Sequence, residues 1–282
     1  MGSEHFAKAG AVLAMVVAIG IVGMFNSPTP LQAQDNYEAS LIQRGFAVAP
    51  VPLNLAGRDY NLVGLGSYLV NAVGDCNGCH SSNAPPLFIY PYATGGNPYF
   101  AQPKKVDPAV YLNGGQNFGA VGTPTGPSGY AGPDIITRNL TPDKNGLPEG
   151  GHTLAQFMEI MRKGIDFDHI HPTCTAAQLA AILTGATPNC IPTGNITLGP
   201  GVNFDNIPDG NLLQVMPWPQ FSQMTNHELE AIYEYLSAIP CINNTTSTPP
   251  AGAPDELLND CGTSDDVRDS GIQYSTRSRR SH

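Results

Sequence analysis

The run Cys76-Asn77-Gly78-Cys79-His80 sets two thiols three positions apart, with an imidazole directly after the second. Thiols at that spacing can each add to one vinyl group of a single porphyrin, while the histidine that follows lies beneath the iron as an axial ligand. The product is a haem that cannot dissociate. A zinc site would need about four ligands, usually with a second Cys or His pair at similar spacing. The chain holds no second C-x-x-C. A thioredoxin-like dithiol asks for a strand–helix setting, whereas this motif follows a helical pattern within Gly-rich sequence. The motif occurs once, so one haem c is expected, attached through Cys76 and Cys79 with His80 as the proximal iron ligand.

A methionine or histidine on the opposite side would fill the sixth position of the iron. Met158 and Met161 fall on a helical stripe that reads as core, and Met224 reads as the staple residue of a helix start. Met216 is different. It lies in Val215-Met216-Pro217-Trp218-Pro219, where two prolines stiffen the backbone and could hold a thioether at a set distance. Met216 is therefore the expected distal ligand, against the alternative of a methionine buried beside Trp218. His169 and His171 are its main rivals.

These residues need elements to position them. Leu62, Leu65, Leu69, Ala72 and Val73 recur at helical spacing and lead into the motif. Three capping boxes then mark helix starts. Thr153 with Gln156 opens a helix with a stripe of Leu154, Phe157, Met158 and Met161, ended by Gly164. Thr175 with Gln178 opens an inserted helix whose buried face is Leu179, Ile182 and Leu183, ended by Gly185. Thr225 with Glu228 opens the last helix, with Met224 and Leu229 as its staple. Leu229, Ile232, Tyr233 and Leu236 form its apolar face, and Pro240 stops it. Between the motif and the first capping box runs a loop from Ser81 to about Pro133, dense in Gly, Pro, Tyr and Asn, with no strand pattern. Such a length should be packed on something or functional. A second Gly- and Pro-rich loop covers about 186–210, and 34–55 is a lead-in with few features.

The whole chain fits that picture. Its 282 residues suit one core domain with elaborations. Its 31 Gly and 26 Pro, about a fifth of the chain, point to irregular loops packed around a large cofactor. The net charge of −10, with no basic stripe, excludes a nucleic-acid surface. Ordinary solubility accounts for that charge, and steering of a basic redox partner is the functional alternative. Lys8 followed by the uncharged apolar run Ala9 to Phe25, then Pro28, Pro30 and a small residue at Ala33, is the layout of a secretory signal peptide. Cleavage is expected after Ala33; uncleaved, the segment would be a membrane anchor. Export permits disulfides among Cys174, Cys190, Cys241 and Cys261. Of their three pairings, Cys174 with Cys190 and Cys241 with Cys261 closes the shortest loops.

The order helix, C-x-x-C-H, long loop, N-L-T-P-D (Asn139 to Asp143), a helix ending in M-R-x-G (Met161 to Gly164), M-P-W-P (Met216 to Pro219) and a closing M-T-x-x-E-L-x-A-I-x-x-Y-L helix resembles bacterial class I c-type cytochromes. It resembles especially the single-haem modules related to the cytochrome subunits of periplasmic dehydrogenases. It implies an all-α, cytochrome c-like domain around one covalent haem over 58–240, with long irregular loops and an inserted helix at about 165–210. A signal peptide (1–33) and the lead-in (34–57) precede it, and a tail (241–282) follows. It implies His80 and Met216 as the axial pair, N- and C-terminal helices crossing beside the haem, and Asn139 to Asp143 and Arg162 near the haem edge or propionates. It also implies a proline carbonyl on the second nitrogen of His80, with Pro85, Pro86 and Pro91 as candidates. The function implied is electron transfer rather than enzyme catalysis, with redox proteins as partners in a periplasmic or cell-surface chain. The rival readings are an open distal site serving an enzyme or gas binder, with His152, His169 or His171 as acid–base groups, and a haem-bearing block of a larger assembly.

Overall fold

A computed structural model describes residues 30–81, 91–120, 132–168, 172–192, 196–199, 202–204, 209–243 and 259–262. The apolar N-terminal run, Pro85, Pro86, His169 and His171 lie outside them. Two compact units divide the chain, 1–41 and 42–282. Of the first, only the early part of helix α1 (Pro30–Val48) is described. The lead-in that showed few features in the sequence is thus largely helical. Among the described residues no helix is long and apolar enough to cross a membrane.

In the second unit, helix α2 (Tyr60–Tyr68) starts at Asp59, whose carboxylate accepts from the amides of Asn61 and Leu62. It does not run straight into the motif. Residues Leu69–Val73 widen into a π turn, closed by the Gly74 amide on the Leu69 carbonyl at 2.7 Å. The extra residue in that turn rotates the apolar stripe. Val63, Leu65, Leu69 and Val70 are buried, while Val73, expected on the same face, is 61% exposed.

The core forms where α2 meets the last helix, α7 (Asn226–Ala238). Gly66 lets the two backbones touch, since a Cβ there would overlap the Ala231 carbonyl. Gly45 and Gly64 permit a similar approach between the end of α1 and α2. A buried polar network bridges the crossing. The Tyr111 hydroxyl donates to Asn71 Oδ1 (2.5 Å) and shares a 2.8 Å bond with Tyr235, and Asn71 Nδ2 reaches Tyr235 and Ser67. Helix α4 (Leu154–Lys163) packs Phe157 against Tyr233, ring centroids 5.6 Å apart. On α4 the buried residues are Phe157, Ile160 and Met161, whereas Met158 is half-buried.

All three capping boxes are formed, with reciprocal bonds at Thr153/Gln156, Thr175/Gln178 and Thr225/Glu228. The second opens the inserted helix α5 (Ala176–Ile182), on which Leu179 and Ile182 are buried but Leu183 is 41% exposed, because the helix ends one residue earlier. The insert is closed twice. Cys174 and Cys190 form a disulfide beside the Thr173–Ile191 bridge. At its neck, Asp166 donates its amide to Asn211 and Leu213 donates to Gly164. The second disulfide joins Cys241 and Cys261. Two disulfides fit an exported chain in an oxidising compartment.

Two small antiparallel ribbons that the sequence reading did not anticipate complete the description: β1 (Asn117–Ala120) with β2 (Asp134–Ile136), and β3 (Ile196–Gly199) with β4 (Val202–Phe204). With three or four residues each and glycine among them, these strands carry too little alternation to be recognised.

Candidate cofactor-attachment site

The motif forms a single helical turn, α3 (Cys76–Cys79), entered through Asp75 in the left-handed region (φ 44°). That conformation costs a non-glycine residue stability and turns the chain sharply out of the π turn. The Gly78 amide closes on the Asp75 carbonyl (2.9 Å) and the His80 amide on that of Cys76 (2.8 Å). Cys76 and Cys79 stand outside both disulfides; Cys76 is half-buried and Cys79 exposed. Burial, with the Asp75 carboxylate adding to it, pushes the Cys76 thiol up to about 12. A thiol so protonated exchanges poorly with disulfides.

Residues 112–116 of the long loop clasp this turn. The Leu112 amide donates to Asn77 Oδ1 (2.8 Å) and the Gly114 amide to the His80 carbonyl (3.1 Å). The Gln116 side-chain amide, with its nitrogen assigned by its hydrogen-bond partners, donates to the carbonyls of Gly78 (3.2 Å) and Cys79 (3.3 Å). The clasp is an extension of the β1–β2 ribbon. Gly115 bonds to Thr137 (2.8 Å), Thr137 to Gln116 (2.9 Å) and Leu140 to Leu112 (2.8 Å). Gly114 (φ 66°) permits it, since any side chain there would collide with the Arg138 backbone.

This ribbon brings the Arg138 carbonyl to 3.0 Å from His80 Nδ1. The ring then donates from Nδ1 and keeps the Nε2 lone pair free, the tautomer an iron ligand needs. Burial holds the His80 pKa below its ordinary value, which favours the same neutral form. The expected proline is replaced. Pro91, the one candidate among the described residues, gives its carbonyl to the Asp107 amide (2.9 Å). The partner of His80 comes instead from 58 residues away, through the ribbon.

The Arg138 side chain points into a buried charge cluster. Its guanidinium pairs with Asp166 and Asp168. His152 lies 3.7 Å from Asp168, with its Nδ1 bonded to the Glu149 carbonyl. Glu149 is 4% exposed, and its Oε2 has no hydrogen-bond partner among the described residues.

Met216 is half-buried in a loop that is fixed from several sides. Its carbonyl accepts from the Trp218 amide (2.8 Å) around Pro217 (φ −78°, ψ 51°), an inverse γ-turn. Trp218 opens a helical turn, α6 (Trp218–Phe221); its indole lies where a side chain on Gly164 would be, and its Nε1 donates to the Leu213 carbonyl (3.3 Å). Arg162 donates to the Ser222 carbonyl and to Asn226 Oδ1 (2.8 Å). The M-R-x-G stretch therefore holds the M-P-W-P loop with both its Arg and its Gly. In the N-L-T-P-D stretch, Asn139 donates to the Ile242 carbonyl (2.9 Å) and Thr141 receives the Ile242 amide (3.0 Å). That stretch anchors the segment after α7, next to the Cys241–Cys261 disulfide. His80 and Met216 are joined by a continuous frame: His80 to Arg138, Arg138 to Asp166, and Asp166 to Asn211 five residues before Met216.

Two unoxidised thiols on one turn, followed by an imidazole with its nitrogen roles fixed, are a donor set compatible with a covalently held porphyrin. Among the described residues no three His, Cys, Asp or Glu side chains gather as metal ligands, the arrangement a zinc site would need. Sequence reading missed the roles of Asn77, Gln116 and Arg138, because each acts through a partner remote in the chain, and that of Glu149, because its burial is set by the fold. Comparison with protein-family models, with curated proteins and with solved structures finds no match to this chain.

Proposed function

We propose that this protein is a c-type cytochrome, a carrier that moves single electrons. More narrowly, it is a monohaem carrier with His80 and Met216 as axial ligands, similar to the cytochrome subunits of periplasmic dehydrogenases and serving a periplasmic or cell-surface redox chain. The observation that carries the reading is the Cys76–His80 turn, with both thiols outside the disulfides and His80 Nδ1 committed to the Arg138 carbonyl.

Haem c bound there would supply an iron that changes oxidation state by one electron with no substrate on the metal. The chain's residues do the rest. Cys76 and Cys79 would anchor the porphyrin, and the Arg138 carbonyl orients His80 and raises its basicity. Trp218, Gly164 and Arg162 hold the Met216 loop, so a thioether can be kept in place through both oxidation states with little reorganisation. Cys79 is exposed, so the attachment edge is the natural contact for redox proteins, whose interfaces are small and transient.

The test is the visible spectrum of the reduced, matured protein before and after carbon monoxide. A c-type haem spectrum unchanged by the gas, and made sensitive to it by Met216→Ala, is the expected result. Gas binding to the unmodified protein would mean an open distal site and an enzyme or gas binder instead. No haem after expression with a maturation system would overturn the reading.

A further inference from the structure

Glu149 is built at a cost. It is almost fully enclosed, Oε2 is unpartnered among the described residues, and its backbone sits at φ 55° and ψ 52°, outside the regions a glutamate prefers. Charged groups stand close to it. Arg138 acts on it from beyond β2 and Asp166 from the segment after α4, where Asp168 pairs with the same guanidinium; His152, 3.7 Å from Asp168, bonds to the Glu149 carbonyl from the same turn, where Asp143 also approaches Gly151. Two aspartates already neutralise the one guanidinium, so a third carboxylate is disfavoured as an anion. Burial first, and the Asp166 charge after it, raise Glu149 to about 7 against the pull of Arg138. The cluster is also wired to the haem-binding side, because the backbone of Arg138 carries the carbonyl that receives His80 Nδ1.

We propose that Glu149 takes up a proton when an electron arrives at the iron held by His80, so that this carrier moves a proton with its electron and its potential falls as pH rises. The proposal rests on the carrier reading above. An electron comes from a redox partner protein. In molecules where Glu149 is ionised, a proton comes from solvent and an O–H bond forms on its carboxylate. No bond within the protein breaks, and the charge added by the electron is cancelled inside the fold. Oxidised iron, being more positive, favours the ionised glutamate; reduction removes that support, and the raised affinity draws in the proton. The arrangement of one arginine between the proton site and the axial ligand is what couples them.

The experiment is a potentiometric titration of the matured holoprotein from about pH 5 to pH 9, wild type beside Glu149→Gln, with redox infrared difference spectra of the wild type. The expected result is a midpoint potential that falls through neutral pH in the wild type and stays level in the variant. A buried carboxylic-acid carbonyl band should be gained on reduction. A haem spectrum with a level wild-type potential overturns the proposal alone, as does an equal slope in both proteins, which would place the proton elsewhere. If the variant fails to fold, absence of the carboxylic-acid band in the wild type overturns it instead. A matured protein with no haem spectrum overturns the carrier reading and this proposal together.

Discussion

The α2–α7 crossing and the clasp around the Cys76–His80 turn support the same short motif in opposite ways. At the crossing, helix backbones meet through Gly66 and Ala231, with apolar side chains and a closed hydroxyl–amide network between them. The clasp buries Leu112, Ile136 and Leu140, but it does not reach the turn through them. Backbone amides and one carbonyl of residues 112–138 reach the turn directly, and buried charges stand behind them. The crossing is tolerant of chemistry and intolerant of volume. The clasp is the reverse, since it depends on each donor meeting its acceptor in a low-dielectric setting. One sets where the motif lies, and the other sets which nitrogen of His80 is free.

Substitutions separate the two regimes. The largest effect is expected at the crossing, where Gly66→Ala drives a Cβ into the Ala231 carbonyl. A loss of about 3 kcal/mol, read from the urea midpoint at unchanged slope, follows from helices forced apart. A near-neutral Gly66→Ala would mean that the crossing yields to volume.

Glu149→Gln tests the buried charge, and its sign changes with pH. The folded carboxyl titrates at about 7 and the unfolded one at 4.5, so its stabilising protonation is complete below 4.5 and is lost as pH rises through 7. The variant should gain on the wild type over that window by about 3 kcal/mol. The difference between the two proteins is the quantity to follow, because His152, whose pKa burial lowers, slopes the opposite way in both. No pH dependence in that difference would remove Glu149 from the cluster.

Asn77→Ala strands the buried Leu112 amide and should cost about 2 kcal/mol in chemical denaturation. It should also loosen the motif, seen as faster amide exchange at Leu112 and Gly114. Tyr235→Phe deletes one hydroxyl from the crossing network while keeping its packing, and about 1 kcal/mol is expected in a thermal melt. A larger loss at Tyr235 than at Gly66 would invert the comparison.

Much of the frame was legible in the sequence because its signals are local. Thr153/Gln156, Thr175/Gln178 and Thr225/Glu228 formed the caps they spell, since a capping box is complete within four residues. The near-neighbour disulfides followed from short loops. The expected Ala72–Val73 stripe failed because a π turn adds a residue that no periodicity announces. The proline carbonyl expected on His80 failed because that bond is made across a ribbon whose strands hold only three or four residues.

By itself, then, the sequence determined the chemistry on offer and the local geometry: the thiol pair with its histidine, the helix starts, the stiff Met216 loop and the cysteines left for disulfides. Covalent spacing and hydrogen bonds within a few residues are properties of the chain alone. Only the tertiary structure decided that Arg138 would orient His80, that Gly164 and Arg162 would hold the Met216 loop, and that Glu149 would be enclosed among charges. Those outcomes depend on which distant segments exclude water together, and burial is a property of the assembled fold rather than of any stretch within it.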